Sequence, residues 1–223
     1  MHEKEIYEDN LYDDDGKRGK SPLIYIIAVF LILLLSVMIF PHYGVKLDPR
    51  PDKVPTLEEV MVFDYNLSNE TRTLKSREDF LDFVVPQSPF VKTTANKIVS
   101  IACQGERVCH AKAIYYFVRD NFDYIADPVN FEYVEMPQDF MVGGGGDCES
   151  GTLFLANLLE AVGIDTQLVF IPGHAFIRAK IPEALNKYKR DGWVYLDWTC
   201  KNCAFGEIPK ENIDAYTTFL DVN

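Results

Sequence analysis

From residue 23 to residue 40 the chain reads Leu-Ile-Tyr-Ile-Ile-Ala-Val-Phe-Leu-Ile-Leu-Leu-Leu-Ser-Val-Met-Ile-Phe, without one charged side chain. No other feature narrows the folding options as far. A run of this length, wound as a helix, nearly crosses the roughly 30 Å hydrocarbon layer of a bilayer. In lipid only a helix satisfies the backbone of a single segment internally. The run has no polar face, which argues against a core helix. It is long for the apolar stretch of a cleaved signal peptide, and no small-x-small site follows it before Pro41. Residues 22–41 are therefore expected to be one transmembrane helix, with the lipid bilayer as the partner of residues 23–40.

Orientation follows from basic residues. Lys17, Arg18 and Lys20 cluster just before the span, whereas Lys46, Arg50 and Lys53 are dispersed after it. This favours a cytoplasmic amino terminus and an extracytoplasmic carboxy-terminal domain. On that side of the membrane, the sequons Asn66-Leu67-Ser68 and Asn69-Glu70-Thr71 would be usable glycan acceptors.

Residues 1–21 carry Asp13-Asp14-Asp15 and little apolar content, so they read as an acidic, solvated tail. Pro41, Pro49, Pro51 and Pro55 mark 42–75 as a stiff stalk, which leaves 76–223 as the folded domain. The formal net charge of -12, with no basic stripe interleaved with aromatics, excludes nucleic acid as a partner.

Within the domain, apolar residues at three- and four-residue spacing predict helices over 91–102 and 107–119, then a short strand over 122–125. A further helix starts near Cys148 and stops near Gly163, a natural left-handed cap. β-rich runs follow at 166–171, 174–181 and 193–199. Helices followed by antiparallel strands define an α+β class rather than a doubly wound sheet.

Gly143-Gly144-Gly145-Gly146-Asp147-Cys148 runs straight into that helix. A thiol on a first helical turn lies where backbone amides and the helix dipole favour its anion. In the 174–181 run, Ala175, Ile177, Ala179 and Ile181 alternate with His174, Phe176, Arg178 and Lys180. In the 193–199 run, Val194, Leu196 and Trp198 share one face and Asp197 the other. If these strands pair, His174 and Asp197 project from one side, and a helix packed on that side delivers Cys148 to them. Thiol, imidazole and carboxylate together are what nucleophilic acyl transfer needs: an ionisable nucleophile, a proton carrier and a group that fixes its tautomer. Taken singly, each residue has a structural reading as well.

Gly-Asp-Cys at 146–148, Gly173-His174-Ala175-Phe176, and Trp193-Val194-Tyr195-Leu196-Asp197, in that order, resemble the three signature segments of the transglutaminase-like superfamily. The resemblance implies a papain-like α+β core in which a nucleophile helix packs on an antiparallel sheet and Cys148, His174 and Asp197 match a catalytic triad. The segment around Met136-Pro137-Gln138 is also similar to the stretch leading into the family's nucleophile. Gln138 is a candidate second oxyanion donor beside the Cys148 N–H, with a plain turn residue as the other reading. Trp193 is a candidate wall of a substrate groove.

Cys103, Cys109, Cys200 and Cys203 remain. Two disulfides plus one free reactive thiol fit five cysteines outside a cell; a single structural Zn²⁺ on these four is the alternative. No metal or other cofactor is expected to be needed for catalysis. The chain carries neither the extra β-domains nor an obvious calcium site of the large animal cross-linking enzymes. The expected activity is that of a membrane-anchored cysteine peptidase or amidase, favoured over cross-linking acyl transfer, on a peptide or protein substrate. The rival classes are an inactive binding or scaffold domain and a zinc-stabilised interaction domain.

Overall fold

A computed structural model describes residues 21–61, 74, 76–128 and 133–222. The acidic tail and both sequons lie outside these residues. The chain divides into two compact units, residues 1–43 and 44–223.

In the first unit, helix α1 begins; it runs Pro22–Leu47. Its Pro22–Phe40 stretch has a mean hydropathy of 3.2 and none of that stretch is buried. One N-terminal helix is thus long and apolar enough for a membrane span or a signal sequence. The backbone stays helical past Pro41, where a stalk was expected to begin. An internal proline removes one N–H and crowds the preceding turn, which weakens a helix without necessarily ending it.

In the second unit, part of the segment expected as a stiff stalk is hydrogen-bonded to the helices of the domain. The Asp52 N–H donates to the Ala102 carbonyl at 2.8 Å, and the Leu57 N–H donates to Asn121 at 2.9 Å. α2 (Leu57–Val60) is closed by a Thr56/Glu59 capping box and buries Val60 completely. Prolines 49, 51 and 55 keep the chain extended, yet its apolar side chains Val54, Leu57 and Val60 find partners on the helical layer. A 3₁₀ turn at Arg77–Phe83 follows.

α3 (Pro89–Ala102) starts at Ser88, whose hydroxyl accepts from Val91 N–H, with Pro89 opening the helix. α4 (Arg107–Asn121), β1 (Asp123–Tyr124), α5 (Pro137–Gly143), β2 (Gly145–Gly146) and α6 (Cys148–Ala161) come next. α6 ends as the sequence indicates, with Gly163 at φ 76°. Then follow β3 (Thr166–Ile171), β4 (His174–Ala179), β5 (Lys189–Arg190), β6 (Trp193–Leu196), α7 (Lys210–Ile213) and β7 (Thr218–Asp221). The antiparallel sheet has the order β5-β6-β4-β3-β7. Strand and helix boundaries fall close to those read from periodicity, because alternation and heptad-like spacing are local signals.

Alternation also sorts the two faces as expected. Ala175, Ile177, Ala179, Val194 and Leu196 lie with α3, α4 and α6 in the main core. Val169, Ile171 and Phe176 form a smaller cluster on the opposite face, covered by Tyr195, Ile208 and Ala215. α6 therefore packs on the apolar face, opposite to the side expected from the His174 and Asp197 alternation.

Candidate active site

His174 and Asp197 are in direct contact, and Cys148 lies at the same end of the sheet; among the described residues its sulfur bonds Glu149 and makes no hydrogen bond to His174. His174 is the first residue of β4, and Asp197 directly follows the last residue of β6, which runs antiparallel to β4. α6 lies on the other face with its first turn at that same end. Thr152 there donates to the Ala175 carbonyl at 3.1 Å, which sets the first turns of α6 against the start of β4.

The glycine run serves this placement through its backbone pairing. Gly145 and Gly146 are buried and pair in parallel with Asp123 and Tyr124. A Cβ on Gly145 would stand 2.0 Å from the Asp123 carbonyl oxygen, so only glycine permits the pairing. Asp147 then caps α6, its carboxylate accepting from Ser150 N–H at 2.8 Å. One turn on, Gly151 lets the fully buried Trp198 indole lie against the helix; a Cβ would fall 2.1 Å from the Trp198 Cε2. The indole N–H points at the Cys148 carbonyl, 3.4 Å away, and Phe140 meets the ring edge-on at 5.6 Å. Cys148 is thus fixed by contacts on both sides of its own turn.

Asp197 is fully buried, and its oxygens are divided between donors. Oδ2 lies 2.9 Å from His174 Nε2 and 3.5 Å from Asn212 Nδ2. Oδ1 accepts from the Thr199 N–H at 3.1 Å and its hydroxyl at 2.7 Å. With Nε2–H directed at the carboxylate, Nδ1 carries the lone pair of a neutral imidazole. Tyr115, buried in α4, reaches the carbonyls of Asp197 and Cys203 at 3.3 and 3.2 Å.

The thiol itself is 6% exposed and donates to Glu149 Oε2 at 2.8 Å. Burial first, and then the Glu149 carboxylate by hydrogen bond and charge, push the Cys148 pKa well above that of an ordinary thiol. The helix start does not by itself leave an anion here. Acidic groups crowd the same spot. Burial and the neighbouring Asp147 raise Glu135 to about 7; burial and Glu149 raise Asp147 to about 7. One ligand atom from each of Asp147, Cys148 and Glu149 lies within 4.8 Å of the others, but a thiol among two carboxylates is not the all-oxygen set that a hard cation takes. The two flanking carboxylates were legible in Asp-Cys-Glu, but their convergence on the sulfur depended on the first helical turn.

The other candidates are more scattered. Gln138 lies on the first turn of α5, half-buried. Trp193 opens β6 on the His174 face and carries Arg178 and Lys180 over its ring at 4.6 and 4.8 Å. That stacking makes Trp193 part of a cation-bearing strand surface. The four remaining cysteines pair as Cys103–Cys109 and Cys200–Cys203, with Cys148 free. A cavity of about 480 Å³ lies beside the second disulfide, lined by Tyr195, Arg190, Lys210 and Ile213 rather than by Cys148.

A helix-borne thiol set against the end of an antiparallel sheet, beside a histidine–carboxylate pair, defines a mixed helix and sheet protein with a papain-like arrangement. The Transglutaminase-like superfamily model matches residues 92–198 of the chain. Solved structures similar to it include a candidate cysteine protease from Cytophaga hutchinsonii, at 17% identity over 66% of this chain and 53% of that one, TM-score 0.39. Legionella pneumophila LapG matches at 19% identity over 66% of this chain and 88% of that one, TM-score 0.40. Its calcium-bound form matches at 20% identity over 63% and 80%, TM-score 0.39. The chain spans about half the length of the Cytophaga protein. No curated protein matches the chain.

Proposed function

We propose that the protein is a membrane-anchored cysteine hydrolase or acyltransferase acting on a peptide or protein amide, with hydrolysis favoured. The single observation that carries this reading is the 2.9 Å bond between His174 Nε2 and the buried Asp197 carboxylate, at the sheet end where α6 packs through Thr152 on the Ala175 carbonyl.

In the proposed sequence, His174 Nδ1 takes the thiol proton as the thiol leaves Glu149. The thiolate adds to the substrate carbonyl carbon, and the resulting oxyanion is held by the Cys148 N–H at the start of α6. Gln138 is the proposed second donor. The imidazolium returns the proton to the amine as the C–N bond breaks, leaving a thioester on Cys148. Water, or an amine in a transfer reaction, then attacks the thioester, gives its proton to His174, and releases the acyl product as the sulfur leaves. Asp197 holds the Nε2–H tautomer and steadies the imidazolium without taking a proton. α1 supplies the anchor, and the domain lies outside the cytoplasm.

Burial of the thiol and its bond to Glu149 favour one other reading, a binding or scaffold domain that keeps the fold without turnover. Alkylation of the full chain in detergent separates the two. Labelling of Cys148 by iodoacetamide at pH 7 faster than that of a free model thiol, abolished in C148A and reduced in H174A, supports the enzyme. Labelling at model-thiol rate or below, insensitive to H174A, would overturn it.

A further inference from the structure

Asp197 presents one oxygen to His174 because its other oxygen is taken. Thr199, two residues on, donates to Oδ1 twice, from its backbone N–H at 3.1 Å and from its hydroxyl at 2.7 Å. The hydroxyl contact is the shortest to this carboxylate, and it is the one that a side chain controls. A carboxylate turns about its Cβ–Cγ bond with a broad, two-fold preference, so packing alone defines its plane weakly. Two donors from one residue lock that rotation. The lock sets the plane in which Oδ2 meets His174 Nε2 at 2.9 Å.

The remaining contacts do not duplicate this function. Asn212 reaches Oδ2 at 3.5 Å, on the oxygen already shared with the imidazole. Tyr115 bonds the backbone carbonyl of Asp197 and positions the chain, not the carboxylate. Trp198, between Asp197 and Thr199, is turned the other way, into the core and toward the Cys148 carbonyl. The three successive residues thus divide the work: carboxylate, helix clamp, carboxylate lock.

We infer that Thr199 is a positioning residue whose hydroxyl fixes the Asp197 carboxylate, and through it the imidazolium form of His174. The inference rests on the triad reading proposed above. Its chemical consequence is specific. Burial and Glu149 keep the Cys148 thiol protonated at neutral pH unless a stabilised imidazolium accompanies the thiolate. Loosening Asp197 weakens that imidazolium and shifts the balance back to neutral thiol and neutral imidazole. Without the imidazole the carboxylate has no partner left to hold, and the effect of the Thr199 hydroxyl disappears.

The test is the rate of Cys148 alkylation by iodoacetamide at neutral pH in the full chain, read on the Cys148 peptide by mass spectrometry, for wild type, T199V and T199S, and for T199V combined with H174A. A hydrogen bond to a charged group contributes roughly 1.5–3 kcal/mol, so T199V is expected to lower the neutral-pH rate about tenfold or more. T199S should behave as wild type, and in an H174A background T199V should cause no further loss. A T199V loss of equal size with and without His174 would mark general damage and overturn the inference, as would a T199V rate equal to wild type while H174A is impaired. If wild type labels no faster than a model thiol, the triad reading itself fails and the Thr199 role falls with it. Should T199V melt well below wild type, T199A removes the same hydroxyl without placing a methyl against Oδ1, and the same comparisons decide.

Discussion

His174 Nε2 and Asp197 Oδ2 stand 2.9 Å apart, with the carboxylate wholly removed from solvent and the imidazole partly open. The asymmetry assigns roles: the buried partner stays fixed while the open one meets solvent and substrate. Replacing Asp197 by Asn keeps the shape but removes the charge. D197A, which leaves Nε2–H without its acceptor, should lower turnover of a cleaved peptide by about 10³–10⁴-fold, and D197N, whose amide oxygen can still accept, should lose less. Steady-state kinetics on any substrate identified by comparing wild type with C148A would check this; a loss under about threefold would remove Asp197 from the mechanism.

Glu149 works against the thiolate. Its carboxylate accepts the thiol proton at 2.8 Å and adds a negative charge beside the sulfur. E149Q should therefore lower the Cys148 pKa, though burial, the larger cause, continues to hold it up. The alkylation curve is expected to move to lower pH, with faster labelling at pH 7. An unmoved curve would mean that the bond to Glu149 does not govern the thiol.

The segment after α1 is tied down by an ion pair. Asp48 bonds the buried Lys112, and also Tyr188 at 2.8 Å and Lys187 at 3.1 Å. Burial alone would raise Asp48, but these donors hold it near 2, below the ordinary 3.8. Its stabilising contribution is accordingly complete above pH 3.8 and lost as pH falls through about 2. D48A leaves the Lys112 ammonium without its carboxylate among Tyr188 and Phe205. The cost should be about 3–5 kcal/mol, seen as a lower midpoint in denaturant, and a D48L/K112M pair should recover much of it.

Gly151 is the point where helix and indole touch. Adding a Cβ in G151A puts it within 2.1 Å of Trp198. The helix cannot retreat without moving Cys148, and Trp198 cannot retreat without moving Asp197 and Thr199. Overpacking of this kind costs roughly 1–3 kcal/mol. Calorimetry should show the lowered melting temperature, and the Cys148 alkylation rate should fall with it; a variant as stable and reactive as wild type would show that the contact is dispensable.

The pairing of the cysteines predicts a simple inventory. Denatured, unreduced protein should expose one alkylatable thiol per chain, and five after reduction. Four additional free thiols together with one zinc per chain in elemental analysis would instead favour the tetrathiolate site.

The sequence by itself determined what depends on near neighbours. The apolar run required helix α1, alternation separated Ala175 and Ile177 from His174 and Phe176, and Asp147 before Cys148 marked a helix start. It also nominated Cys148, His174 and Asp197 by residue type in a compatible local setting. Only the tertiary structure decided that α6 approaches from the apolar face, with its first turn at the sheet end that carries the histidine–carboxylate pair. Pairing register and helix docking join residues far apart in the chain, and no local period encodes them. The same holds for 48–60: its prolines indicated an extended chain, but whether an extended chain hangs free or adheres is settled by distant partners such as Lys112 and Asn121. The state of the thiol was the least legible, since the helix start pulls its proton off while burial and Glu149 hold it on, and their balance exists only once the chain has folded.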